Sequence, residues 1–398
     1  MKNVLKFLTL GMLLAAVMGV SAVSIFAQDD CDATYEQFKA IYKNASVDDK
    51  TKALELAKKY VGDDKCKTEA NADIVKFLEG QVTKLPAQID GLKKKAIYDR
   101  FNASVPAKNW DEAFNSGKQI VAMDPGTSLD IALILASIGF DQAAANPPVD
   151  KFNADTITMA KWAIDHINDK SVNADKYGAF GTYEYKTSAF PDGKNNALGW
   201  MNYTIGYITY ERLKNQKDAL PYLYKATQIN SATKAFPGIY KEIGEWYLSE
   251  FNRIGVDREA KIKANGDKDN DETLALLALQ KGYADRALDA YIRAYNVAPA
   301  TTQIQKDYKT GLYNRAKIIY SARYNEKMDN FEKDMAVVPS KPFPDPTTEV
   351  TPIVEAAPTP SETNTTPATT NNTKTNTTNP NTKPNTPTTP VKKPNQPK

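Results

Sequence analysis

The chain has 398 residues, with 51 basic and 48 acidic side chains and a net charge of +3 at neutral pH. That length exceeds what one small core needs and fits two or three domains or a repeat array, and 25% charged with 41% hydrophobic residues is ordinary for a soluble protein. The near-balance of charge gives no reason to expect the clustered basic footprint of a nucleic-acid binder, so DNA and RNA are set aside as partners.

Lys2 and Lys6 precede an uncharged apolar run that ends at Ala27, before Gln28, Asp29 and Asp30. Basic start, apolar middle and small-residue exit predict a signal peptide over residues 1–27, and hence a periplasmic or secreted protein. The run is also long enough to cross a bilayer, so an uncleaved anchor is the alternative and the only expected membrane contact. Gln28, Asp29 and Asp30 before Cys31 lack the apolar, small-residue context of a lipoprotein cleavage site.

Cys31 and Cys66 are the only cysteines. Residues 35–43 and 48–61 both have helical spacing, and an antiparallel hairpin would set the start of the first beside the end of the second. In an oxidising compartment such a pair closes into a disulfide, which stabilises the hairpin by about 3 kcal/mol. A metal pair or a redox CxxC fails on spacing and on missing partners.

From 28 to 336 the chain reads as helix after helix. Residues 51–61, 110–123, 129–145, 201–213, 239–251 and 284–297 repeat apolar side chains at intervals of three and four. Two-residue alternation is not sustained anywhere, so the expected class is all-α. Residues 252–281 read as a polar insertion between two helices. Their acidic run, Asp267 to Glu272, has the alternating carboxylates of a calcium loop, but Thr273 and Ala278 stand where such a loop wants Gly and a bidentate Glu. A solvated loop is the plainer reading. The helix over 308–324 reads as the closing one. Residues 337–398 are rich in Pro, Thr and Asn, have almost no aromatic side chains, and are expected to be disordered.

The body also resembles itself. Trp110-Asp111-Glu112-Ala113 leads to Met123-Asp124-Pro125, Lys217-Asp218-Ala219-Leu220 to Ile229-Asn230-Ser231, and Ala284 through Ala287-Leu288 to Val297-Ala298-Pro299. These stretches resemble the second helix of the tetratricopeptide repeat. Tyr240, Ile243-Gly244 and Tyr247 resemble its first helix, as do, more weakly, Asn202, Ile205-Gly206 and Tyr210. The resemblance covers about half of the body, with departures such as Gly117 at a position where a bulky residue is usual. It implies an α-solenoid of antiparallel hairpins that binds a protein or peptide along a concave face.

No catalytic constellation stands out. His166 is the only histidine, and there is no phosphate loop, GxSxG elbow or HExxH. The expectation is a non-enzymatic protein with no cofactor and no metal. Two aromatic groups are left as binding candidates. Trp200, Tyr203, Tyr207 and Tyr210 share one helix face, which is either a partner-binding stripe or core packing. Tyr177, Tyr183 and Tyr185 lie in a stretch over 172–196 without helical spacing, which either binds a glycan or nutrient or plugs onto the helices as a short hairpin. The leading expectation is an exported scaffold for a protein or peptide partner. The alternative is a glycan- or nutrient-binding protein that uses the 172–196 insertion.

Overall fold

The computed structural model describes residues 26–167, 179–180, 183–191 and 193–354. The signal segment therefore lies outside the described residues except for its last two, which open the first helix. Among the described residues no helix is long and apolar enough to cross a membrane.

The chain divides into two units, Met1–Arg100 and Phe101–Lys398. In the first, α1 (Phe26–Tyr42) packs against α2 (Val47–Gly62), and α3 (Ala72–Ser104) begins after two short 3-10 turns. Ser46 starts α2 by accepting a hydrogen bond from the Asp49 amide at 3.0 Å. The core is small: Phe38, Ala53, Ala57, Tyr60, Leu78 and Leu85, sealed by a Cys31–Cys66 disulfide with Cα atoms 5.6 Å apart. The pairing expected from the hairpin is therefore present, and it points to an oxidising compartment.

The second unit contains α4 (Trp110–Met123), α5 (Leu129–Ala143), α6 (Asn153–His166), α7 (Gly193–Tyr207), α8 (Gln216–Gln228), α9 (Pro237–Ala264), α10 (Asp271–Val297), α11 (Gln303–Arg323) and α12 (Phe331–Val337). Helices α4 to α11 pack in sequence, each against the next, as antiparallel neighbours. Helix α5 is apolar nearly all round and buried along its length, as expected of a helix covered by α4, α6 and α7. A two-stranded ribbon of β1 (Ala179–Phe180) and β2 (Tyr183–Glu184) interrupts the series before α7.

Two sequence expectations need correction. Residues 252–281 are not an insertion: they lengthen α9 and α10 into one long antiparallel pair, joined by a turn whose Gly266 and Asp267 take φ of 69° and 60°. A capping box explains where α10 begins, since Asn270 accepts from the Thr273 amide and Thr273 accepts from the Asn270 amide. The acidic run is also spoken for, with Asp269 paired to Arg258 at 2.7 Å and Glu272 paired to Lys261. Second, the packed part of the chain continues past 336. Helix α11 is followed by α12 and by a non-helical strap, residues 341–354, whose Phe343 and Val350 are buried.

Helix α7 runs directly into a π-turn, Ile208–Arg212, in which the Leu213 amide reaches back to Ile208 at 2.9 Å. Arg212 leaves this turn to form a two-pronged pair with Asp150, both contacts at 2.7 Å. Arg212 first, and Asn153 second, hold the Asp150 carboxyl at about 2. Because this folded-state value lies below the ordinary carboxylate value near ~3.9, the pair's contribution is present above pH ~4 and is lost as pH falls through about 2. Comparing melting temperatures of the wild type and Asp150→Asn across that range checks this. The small difference expected at neutral pH should vanish toward pH 2.

Candidate functional site

The stripe on α7 is mostly core. Tyr203 and Tyr210 are 4% and 3% exposed, while Trp200 and Tyr207 keep one accessible side. Tyr203 is surrounded by the rings of Phe140, Trp200, Tyr207 and Phe236, with centroids 5.2 to 6.0 Å away. A groove lined by Trp200 and Tyr203 needs an accessible Tyr203, and these four rings leave none.

The described part of the 172–196 stretch turns inward at Tyr185. Tyr177 lies outside the described residues, and the backbone of Tyr183 pairs with Phe180 in the ribbon. Tyr185 is fully buried, and burial pushes its phenol far above the ordinary value. Asn196 donates to the Tyr185 carbonyl at 2.9 Å and accepts from the Ala232 amide at 3.0 Å, which fastens the stretch to α7 and to the turn before α9. Tyr185 is thus a plug, not a stacking platform. His166 lies on the ring of Trp162, centroids 3.8 Å apart, with Nδ1 2.8 Å from the Trp162 carbonyl oxygen.

Two features that sequence reasoning missed are better built. The first is the cleft that holds the strap. Phe343 sits between Tyr224 of α8 and Tyr240 of α9, centroids 5.9 and 5.3 Å away, with the guanidinium of Arg293 from α10 5.2 Å from its ring. Most polar contacts go to main-chain carbonyls. Arg293 donates to Val338 at 3.0 Å and Lys341 at 2.7 Å, Arg286 to Asp345 at 3.4 Å, and the Tyr224 hydroxyl to Phe343 at 3.3 Å. Asp289 holds Arg293 in place at 2.6 Å, with both side chains largely buried. At the far end the Ile353 amide donates to the Ala278 carbonyl at 2.8 Å. Gly282 makes that approach possible, since a Cβ there would lie 2.4 Å from the Thr351 carbonyl oxygen. The cleft and strap also border an opening of about 380 Å³ lined by Asp285, Leu288 and Tyr324.

The second feature surrounds the π-turn. Tyr207, Tyr210 and Glu211 come from α7 and the π-turn, Glu242 and Glu245 from α9, Tyr291 from α10 and Tyr308 from α11. Gly244 lets the Tyr291 ring nest against α9, because a Cβ there would lie 2.8 Å from Tyr291 Cδ2. Glu245 is paired with Lys241, and Glu211 with Lys214 at 3.6 Å. Glu242 is 7% exposed, and among the described residues neither its Oε2 nor the buried hydroxyl of Tyr210 has a hydrogen-bond partner. Burial first, then the Glu211 carboxylate, drives the Glu242 carboxyl well above its ordinary range, against a smaller opposing effect of Lys241. Burial and Glu211 also push the Tyr207 phenol up to about 12. A glutamate inside the apolar rhythm of Tyr240, Ile243 and Tyr247 was the available signal in the sequence.

Among the described residues no group of three or more His, Cys, Asp or Glu side chains could hold a metal ion. Comparison with known proteins assigns no relative: no family model matches the chain, and neither a curated protein nor a solved structure matches it.

Proposed function

We propose that this chain is an exported scaffold of tetratricopeptide-like helical hairpins that holds a non-helical segment of another polypeptide. The observation supporting this reading is the strap, which already occupies a cleft of α8, α9 and α10 as such a segment would. Recognition there rests on backbone carbonyls and two apolar anchors, Phe343 and Val350, so it tolerates many sequences around those anchors. Residues 338–354 contain five prolines, which restrict the free segment and lower the entropy cost of seating it. The Cys31–Cys66 disulfide supports the exported location.

In the resting chain the strap competes with any partner at an effective concentration on the order of millimolar. A peptide of residues 338–354 added in trans should therefore bind a full-length Phe343→Ala/Val350→Ser variant roughly tenfold or more tighter than it binds the wild type. Fluorescence anisotropy of the labelled peptide reads this directly. Adding Gly282→Ala should abolish binding, because the new methyl meets the Thr351 carbonyl while the helix itself gains from alanine. A loosened variant with an unchanged melting curve that takes up no peptide contradicts the reading.

A further inference from the structure

We propose that the cluster around Glu242 is a second binding site, for an organic cation of the alkylammonium or guanidinium type, as carried by a lysine or arginine side chain or by a free amine. The site lies apart from the strap cleft, and its failure leaves the peptide reading standing.

Neither Glu211 nor Glu245 asks for a ligand, since each already has a lysine. Arg212 is committed to Asp150 on both prongs. Arg315 interacts electrostatically with the Tyr291 phenol. Among the described residues Glu242 has no cation within ion-pair distance and one of its oxygens has no donor, although more than nine-tenths of the residue is buried. A buried carboxyl left so is costly. It persists where it serves as a waiting acceptor or where it stays protonated.

The surroundings identify the ligand. Tyr207 is half-buried and Tyr308 is 39% exposed, so both offer ring surface at the rim. Both lie within electrostatic range of Glu242, as does the buried Tyr210 with its unpartnered hydroxyl. Aromatic faces beside carboxylates are the surroundings that a soft organic cation prefers: the rings attract its charge and the carboxylate accepts its N–H groups. A hard metal ion fits poorly, because the carboxylates do not converge as a ligand set. The π-turn supplies the geometry. Its extra residue sets Tyr210 inward and Glu211 at the edge of one cluster, and such turns are frequent at functional sites.

Binding carries a linked proton. Burial and the Glu211 carboxylate favour the protonated form of Glu242, whereas an arriving cation favours the carboxylate, so binding promotes proton release. Glu211, Glu245, Lys241, Tyr207, Tyr210 and Tyr308 interact electrostatically with Glu242, and of the charged groups only Lys241 opposes its raised value.

The test is calorimetric titration of the full-length, disulfide-bonded protein with butylammonium, acetyl-lysine amide, acetyl-arginine amide and the neutral acetyl-glutamine amide. Each is run in two buffers of different ionisation enthalpy. Expected are binding of at least one cation in the millimolar range, none of the neutral amide, and proton release on binding. Binding of butylammonium but not of the amino-acid amides assigns the site to free amines; binding of the amides assigns it to polypeptide side chains. Glu242→Gln should weaken binding by about tenfold or more and remove the proton release, whereas Glu259→Gln, on an exposed part of α9, should change neither. No cation binding by the wild type, or binding without proton release, overturns the proposal even if the Glu242 variant fails to fold.

Discussion

Replacing Cys31 and Cys66 with serine should lower the stability of the first unit by about 3–4 kcal/mol, the loop-closure value for the 35-residue separation of the pair. The unit is small, its core is a handful of apolar side chains, and a disulfide counts for most where a core is thin. The readout must be chosen with care. All four tryptophans, Trp110, Trp162, Trp200 and Trp246, belong to the second unit, so tryptophan fluorescence does not report on the first. Amide hydrogen exchange does. Protection in α1 and α2 should fall by roughly a hundredfold to a thousandfold, since each 1.4 kcal/mol is about tenfold. Protection in α9 and α10 should stay as it was. Unchanged exchange in α1 and α2 would mean that packing of Phe38, Tyr60 and Leu78 carries the hairpin unaided.

The second large effect lies between α5 and α6. A Cβ on Gly139 would stand 1.7 Å from Thr156 Oγ1 and 2.7 Å from Thr156 Cβ. Thr156 cannot easily swing away, because it is fully buried and its hydroxyl donates to the Phe152 carbonyl at 2.7 Å. Gly139→Ala must therefore part the two helices, at an expected cost of about 3 kcal/mol despite alanine's better helix propensity. Thr156→Ala in the same chain should recover part of this loss. It removes the hydroxyl and methyl contacts but leaves the Cβ contact at 2.7 Å. Urea unfolding followed by tryptophan fluorescence measures both variants, since Trp162 lies on α6 itself. A Gly139→Ala chain as stable as the wild type would contradict the close approach of these helices.

The helices were largely legible because their signal is local. Apolar spacing at three and four marks α4, α5, α9 and α10. The disulfide was legible for the same reason, since two adjacent helices and a short turn bring Cys31 to Cys66. What escaped depends on distant parts of the chain. The strap has the composition of the tail that follows it, and only the rings of Tyr224 and Tyr240 and the guanidinium of Arg293 make it part of the fold. Residues 252–281 are polar enough to pass for a loop, yet α9 and α10 support each other there and the Asn270–Thr273 box begins the return helix. Tyr203 and Tyr185 could not be placed from spacing, because neighbours from other helices decide whether an aromatic ring faces water or core. Glu242 escaped as well. Its burial is set by the packing around α9, which no spacing rule foretells.

The claim that the α8–α10 cleft receives a polypeptide segment is tested most directly by locating the bound peptide. A peptide of residues 338–354 with a photoreactive phenylalanine analogue at position 343 is crosslinked to the full-length Phe343→Ala/Val350→Ser variant, and the product is mapped by mass spectrometry. The account predicts crosslinks on α8 near Tyr224, on α9 near Tyr240 and on α10 near Arg293, all lost when Gly282→Ala is added. Crosslinks scattered over other helices, or a pattern that Gly282→Ala leaves unchanged, would contradict it.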